Sequence, residues 1–497
     1  MAAIGVKLSL GQLVLAALSA ALLAGCASRL QVEGIAVQNS TLTFSGGSSG
    51  LSWAASSSGD WILTVGEPLG SSGVEVNGKA YQGPVNLGRS TSATITLPEN
   101  TSATNQVYSL ALSNSAQVSF LASATVTVDH PVVVTFIAPG GSDGGLDHGR
   151  SLAIDSRGNV WAAGWPGYFN GTLFEAPLGS EPAGLIRFPV TVSGVTALDE
   201  PYSLAADQQG NLWVANAAFD YNYNGTGAGQ VIEIPAGSAP SSAPLVFANP
   251  SSGSPFFGGP RGIAVDGSGN VWVANYANNT VTEIPAGSAP GNFSPSVFNS
   301  SGSTSVFDGP KGIAVDSSGN VWVTNQLGNT VTEIPTGSAP ATFKPVIFAN
   351  PSSGSPFFAE PYGIAIDQKG NVWVVDDRED NGHFGASNTV TEIPAGSSTP
   401  VVFPANWFDG GAESVTVDGA GNVWVGTQYG VTEIPAGSSP SSAPVIFSPK
   451  LFGANTYGLN GISVDQQGNL WVLNTSQGSL QELLQAAAPL PFSVPPH

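Results

Sequence analysis

Residues 259 to 288 read GPRGIAVDGSGNVWVANYANNTVTEIPAGS, and the chain beyond about residue 130 is a set of variations on this stretch. Gly262-Ile263-Ala264-Val265 is a short apolar run, and Asp266 to Asn270 is a turn with a glycine free to take a left-handed conformation. Val271-Trp272-Val273 is β-branched and aromatic, so the two runs are expected to pair as an antiparallel hairpin. A polar loop from Asn275 to Asn279 leads to a third strand, Thr280 to Ile284, which Pro285-Ala286-Gly287 ends. Ser296-Val297-Phe298 supplies a fourth, with Pro345 to Phe348 and Pro444 to Phe447 in the same place in other copies.

Alignment on the turn aspartate yields seven copies, at Asp155, Asp207, Asp266, Asp316, Asp367, Asp418 and Asp465, spaced 47 to 59 residues apart. Four short antiparallel strands at a period near 50 make a propeller blade, a unit that cannot bury its hydrophobic face alone. The seventh copy ends at Leu480 to Leu484 with only a Pro-rich tail after it, whereas Pro131 to Phe136, ahead of the first copy, reads like Pro400 to Phe403. That early strand is expected to complete the last blade, removing the unpaired edges of an open array. The fold class is therefore all-β: a seven-bladed β-propeller preceded by a small Ig-like β-sandwich, with a six-bladed ring and one degenerate copy as the alternative.

The elements GIAVDGSGNVWVAN, GIAVDSSGNVWVTN and GIAIDQKGNVWVVD resemble the repeats of NHL-type propellers, and more closely the bacterial subgroup that includes the streptogramin (virginiamycin B) lyases. The resemblance covers about residues 131 to 484. It implies the fold strongly and the chemistry weakly, because the group mixes lyases, lactonases, ligand-binding modules and scaffolds.

Residues 1 to 25 carry one positive residue, Lys7, and then an apolar run up to Gly25, which reads as a secretory signal. Leu23-Ala24-Gly25-Cys26 matches the lipobox of bacterial lipoproteins, which implies cleavage before Cys26 and lipid on its sulfur. Cys26 is the single cysteine of the chain, so an internal disulfide is excluded. Acyl chains there would tether the protein to a membrane, and by family analogy Ala27 in place of aspartate favours the outer membrane if the cell has one. The expected localisation is the bacterial cell envelope, outside the cytoplasm.

Removing residues 1 to 25 leaves 12 basic residues against 34 acidic, a net charge of −22. A field of that sign argues against nucleic acid as a partner. With 63 glycines and 37 prolines, turns dominate. Residues 26 to 36 read as a lipidated linker and residues 131 to 497 as the propeller with its tail. Between them, residues 37 to 130 alternate apolar and polar runs, including Thr41 to Phe44, Trp61 to Val65, Ala93 to Leu97, Tyr108 to Leu112 and Ala124 to Val128. This pattern suggests an Ig-like sandwich with Trp53 and Trp61 as core plugs, loosely similar to BACON-type modules, acting as a spacer or alternatively binding glycan.

Every copy carries a glutamate on its third strand: Glu175, Glu233, Glu283, Glu333, Glu392, Glu433 and Glu482. A carboxylate placed alike in every blade is not a single active site, because catalysis needs unlike groups converging on one substrate. The turn aspartates are expected to accept amide hydrogen bonds within their own turns, the glutamates to bond donors between blades, and the recurring tryptophans, Trp161 to Trp471, to pack between blades.

Function belongs where the copies differ. Five residues before each turn aspartate stand Arg150, Tyr202, Arg261, Lys311, Tyr362, Glu413 and Asn460. A mixed cationic, aromatic and polar ring of this kind suits a channel mouth that binds a small molecule, glycan or protein, or else a solvated rim. Two enlarged loops are expected on the same face. One holds Asp220, Asn222 and Asn224, which imitate the opening of a calcium loop without its closing glutamate. The other holds Asp376, Asp377 and Asp380 with His383, a set of oxygens that could hold a divalent cation such as Ca or Mg, or else a solvated acidic loop. The lyase resemblance would imply a histidine and a glutamate with magnesium at the channel. His148 and His383, with Glu413, are the residues that could stand there, and the family's spacing is not reproduced. A metal-assisted lyase or lactonase and a structural surface protein therefore remain the alternatives to a binding module, with His383 and Glu413 as the weak catalytic candidates.

Overall fold

The computed structural model describes residues 133–484 apart from 139–144, 147–148, 165–170, 181–183, 189–190, 193–194, 197, 218–228, 300–305, 377–378, 381–382, 385–388, 409–410, 448 and 453–457; before residue 133 it describes the strands and residues 82 and 84. The chain forms two compact units, Met1–Val132 and Val133–His497.

The first unit contains two antiparallel sheets. One has the order Leu30–Val37, Gln117–Val128, Gln106–Asn114, Trp61–Gly66, Val85–Gly88, and the other Ser49–Ser52, Ser92–Thr96, Glu75–Val76, Lys79–Ala80. Leu30–Val37 pairs with residues Ala122 to Val128, so most of the stretch read as a linker is strand. Its alternation of apolar residues, Leu30, Val32, Ile35 and Val37, is what a strand needs. Cys26, Trp53 and Thr41 to Phe44 lie outside the described residues.

The second unit contains seven four-stranded antiparallel sheets, here numbered blades one to seven in the order of their inner strands. Blade three is representative: Pro260–Val265, Val271–Asn275, Thr280–Ile284 and Ser296–Phe298, in that order from the inside out. The inner strand of each blade lies against that of the next, and the inner strand of blade one lies against that of blade seven, so the ring is closed. Blade seven takes its outer strand from the start of the unit. Val133–Ile137 pairs antiparallel with Ser479–Leu483, with Phe136 opposite Leu480.

The aspartate turn repeats closely similar bonding around the ring. In blade three, Asp266 Oδ1 accepts from the backbone N–H of Ser268 and Asn270, both at 2.9 Å. Its Oδ2 accepts from Asn270 Nδ2 at 2.9 Å and from Trp272 Nε1 at 3.1 Å. All seven tryptophans donate to their aspartate in this way, so they belong to the turn as well as to the packing between blades. Asn270 Oδ1 in turn accepts from the N–H of Ala286, just past the third strand. One short polar element thereby satisfies five donors and ties two strand ends together.

Seven apolar cores lie between the seven pairs of neighbouring blades. Each contains a tryptophan from the second strand packed on a phenylalanine from the outer strand of its own blade. Examples are Trp161 on Phe188 at 4.8 Å between ring centres, Trp272 on Phe298 at 5.5 Å and Trp424 on Phe447 at 5.4 Å. In blade seven the phenylalanine is Phe136, 5.3 Å from Trp471. Deleting this fully buried ring should therefore cost as much as deleting one within a continuous blade. Phe136→Ala is expected to destabilise the propeller by about 3–5 kcal/mol, matching Phe298→Ala when both are measured by chemical unfolding; a much smaller loss for Phe136→Ala would contradict a closed ring.

Candidate functional site at the channel mouth

Inner strands of adjacent blades approach closely, and the sequence yields to this crowding. The residue following each ring position is Ser151, Ser203, Gly262, Gly312, Gly363, Ser414 or Gly461. A Cβ on Gly262 would collide with the carbonyl oxygen of Lys311, and one on Gly312 with that of Tyr362. Only glycine or a small side chain fits there.

Just before these small residues the ladder slips. In blade three Pro260 opposes Asn275 while Gly262 opposes Ala274, so Arg261 is the extra residue of a β-bulge. The same irregularity falls at Tyr202, Lys311, Tyr362, Glu413 and Asn460 in their blades. A bulge re-aims the side chain of its extra residue, and proline tolerates the position ahead of it because no ladder N–H is needed there.

The ring residues of five blades meet. Arg150 Nη1 donates to the Tyr202 hydroxyl at 3.1 Å, and the Tyr202 and Tyr362 hydroxyls are 3.3 Å apart. The tyrosine pair joins blade two to blade five, across the ring, so these side chains fill the mouth rather than line a wide opening. The guanidinium of Arg150 lies 4.6 Å and that of Arg261 5.1 Å from the centre of the Tyr202 ring, with Lys311 Nζ at 6.0 Å. Lys311 Nζ stands 3.4 Å over the Tyr362 ring and donates to Gln326 Oε1 at 3.2 Å. Arg261 lies 3.5 Å over the Tyr276 ring. Tyr202 and Lys311 are buried, at 7% and 6% exposure. Glu413 and Asn460 hold the corresponding positions in blades six and seven.

The electrostatics follow from this crowding. Burial pushes the Tyr202 phenol up, but Lys311, Arg150 and Arg261, with the hydrogen bond to Tyr362, outweigh it and bring the pKa down to about 8. Glu200, buried two residues before Tyr202 and 4.0 Å from Arg150, is raised by burial against the pull of Arg150 and Arg261.

Sequence reasoning missed Glu200, Tyr276 and Gln326. The last two stand one residue past the asparagine that ends the second strand in their blades, at a position that also varies around the ring: Ala217, Tyr276, Gln326, Gln428 and Thr475. Their backbone N–H groups bond the residue ahead of the inner strand, as Tyr276 does to Gly259 and Gln326 to Gly309, which fixes them beside the bulge. Screening for unlike residues at that second position would have found them.

Of the proposed metal ligands, Asp220, Asn222, Asn224 and Asp377 lie outside the described residues, as does His148. The backbones of Asp380 and His383 pair within a short two-stranded hairpin. Asp376 is fully buried at the place where other blades carry Asn275 or Asn325, and Thr389 Oγ1 donates to its Oδ2 at 2.6 Å. Burial raises its pKa well above the carboxylate range despite that bond and another from the Ala359 backbone. Among the described residues no group of three or more His, Cys, Asp or Glu is placed to hold a metal ion. No helix among them is long and apolar enough to cross a membrane.

The third-strand glutamates sit directly opposite the tryptophans, as Glu283 does opposite Trp272. Glu283 accepts from Ser296 within its own blade, where a bond between blades had been expected. Burial, with the turn aspartate as a second cause, raises Glu233 and Glu482 to about 7. Groups raised on folding stabilise below their unfolded pKa of 4.5 and lose that contribution as pH climbs through about 7. Thermal stability should therefore fall between pH 4.5 and pH 7. Glu233→Gln and Glu482→Gln should each flatten the fall, gaining about 2 °C or more at neutral pH and little in acid.

An NHL-repeat family model matches residues 257–283. No curated protein matches the chain. Among solved structures, a streptogramin B lyase is similar with a TM-score of 0.51 at 14% identity, over 71% of this chain and 97% of that one. A catalytically inactive virginiamycin B lyase from Staphylococcus aureus with quinupristin is similar at 0.50 and 14% identity, over 71% and 99%. The extracellular domain of a hybrid two-component system from B. thetaiotaomicron reaches 0.52 at 14% identity, over 77% of this chain and 46% of that one. The chain thus carries an NHL repeat within a seven-bladed β-propeller whose fold is similar to that of the streptogramin lyases.

Proposed function

We propose that the protein is an extracytoplasmic propeller, anchored through lipid on Cys26, that binds a small molecule, glycan or protein at the mouth of its channel. The observation that carries this reading is the meeting of Arg150, Tyr202, Arg261, Lys311 and Tyr362 from five blades. The repeat imposes small residues at the next position and a bulge at this one, but nothing about the fold asks for arginine, lysine or tyrosine. Unlike groups from separate blades, held by their own mutual contacts, make a pre-organised polar and aromatic surface. The B. thetaiotaomicron relative is an extracellular domain, which is in keeping with a role outside the cytoplasm.

The test is a thermal-shift screen of the purified full chain against small acids, oligosaccharides and peptides, with Arg261→Ala in parallel. Hits should stabilise the native protein and lose about tenfold in affinity in the variant, whose unliganded melting temperature stays near that of the parent. Hits that bind the variant equally well would move the site elsewhere. For the anchor, a palmitate analogue fed to expressing bacteria should label the parent and not Cys26→Ala; equal labelling would refute lipidation at this residue.

A further inference from the structure

We propose that Tyr202 is a proton-operated clasp across the mouth of the ring: as a neutral phenol it loosely bridges Arg150 of blade one and Tyr362 of blade five, and as a phenolate it becomes the anion on which both converge. The clasp does not depend on what the mouth binds.

Geometry is the first reason. The Tyr202 oxygen is approached from two sides, by Arg150 Nη1 at 3.1 Å and by the Tyr362 hydroxyl at 3.3 Å. A well-formed bond between neutral hydroxyls is about 2.7–2.8 Å long, and one to an anionic oxygen about 2.5–2.7 Å. The tyrosine pair is therefore slack, and loss of the Tyr202 proton would draw it in. Both neighbours can serve the phenolate in place, because Arg150 already donates and a hydroxyl hydrogen rotates to suit its acceptor. Tyr362 is half-buried, which gives the departing proton a route to solvent.

The second reason is the charge around the ring. The guanidiniums of Arg150 and Arg261 lie 4.6 Å and 5.1 Å from its centre, and Lys311 Nζ lies at 6.0 Å. Three cations from blades one, three and four thus surround one buried acid, and opposite charges at such range favour its ionised form. The acids of the mouth are Glu200, engaged by Arg150 at 4.0 Å and by Arg261, and Glu413 at the blade-six position. Burial opposes the phenolate, but Lys311, Arg150 and Arg261, with the Tyr362 bond, outweigh it and bring the phenol from 10.0 to about 8.

The sign of the linkage follows. A phenol whose pKa is lowered on folding contributes its full stabilisation above 10.0 and loses it as pH falls through about 8. Blades one, two and five are therefore held together more firmly in mild alkali, and the mouth parts most readily at neutral pH and below.

The experiment is a pH titration of the full chain followed by the near-ultraviolet absorbance of phenolate. One of the 10 tyrosines should ionise in a step centred at about 8. Tyr202→Phe, which keeps the aromatic ring and the cations over it, should abolish the step. Tyr362→Phe should keep the step and move it upward, having lost a hydrogen bond to the phenolate. The gap in melting temperature between parent and Tyr202→Phe should widen by about 2 °C or more from neutral pH to about pH 9.5. A step that persists in Tyr202→Phe, one that vanishes only in Tyr362→Phe, or no early step at all would overturn the proposal. A gap that stays constant with pH would do the same, because the phenolate would then hold nothing together. Should Tyr202→Phe fail to fold, Arg261→Gln decides: removing this cation should move the step upward, and an unmoved step would refute the clasp.

Discussion

A blade of this protein has no interior of its own. Its tryptophan packs against its own outer-strand phenylalanine, and the pair is covered only when the next blade arrives, as Trp161 and Phe188 are by Leu204, Leu212 and Val214 of blade two. Every core is therefore shared, and the structure holds only if the last blade meets the first. That junction is made by Val133–Ile137, which brings Phe136 to Trp471 and turns a row of half-cores into a ring without a bare end.

Closure also sets what the middle of the ring can be. Seven inner strands brought together at one axis leave no space for side chains at the position of Gly262 and Gly312, and the ladder slips by one residue immediately before it. The slipped residue is released from pairing and turned toward the axis. The slip occurs in six of the seven blades, Arg150 in blade one being the exception, and the ring as a whole offers seven side chains that the fold itself does not choose. The protein fills them with two arginines, a lysine, two tyrosines, a glutamate and an asparagine. That choice carries the chemical content of the site, including the low phenol pKa of Tyr202 among three cations.

The ring was legible from the chain alone because repetition subtracts itself. Where Asp266, Trp272 and Glu283 recur in every copy, their sameness marks them as part of the scaffold, and the turn and pairing contacts of all three agree. Where Arg261, Lys311 and Tyr362 break the pattern, the difference marks the candidate site. Register could not be read so easily. A one-residue bulge leaves no trace in apolar periodicity, so the reason these residues point inward came only with the ladder. Tyr276 and Gln326 escaped because they stand in the polar loop after the second strand, where no side chain was compared between copies. Asp376 looked like an exposed ligand in an acidic loop, yet its carboxyl replaces a buried asparagine and bonds Thr389. Residues 26 to 36 read as a linker on their place after the cysteine, whereas the backbone of Leu30–Val37 pairs with Ala122 to Val128.

The strand that completes the ring bears on how the protein is made. Gln481 donates to Thr135 across a separation of 346 residues, so the contact that secures the wheel joins nearly the first and nearly the last pieces of the unit to be synthesised. Blade one on one side and blade six on the other must wait, each with one flank uncovered, until the seventh blade has been synthesised. Non-local pairing of this kind folds slowly and exposes sticky intermediates meanwhile. Premature termination anywhere before Ser479 should consequently yield not a smaller propeller but an unsealed one, prone to proteolysis and to swapping Val133–Ile137 into a neighbouring molecule.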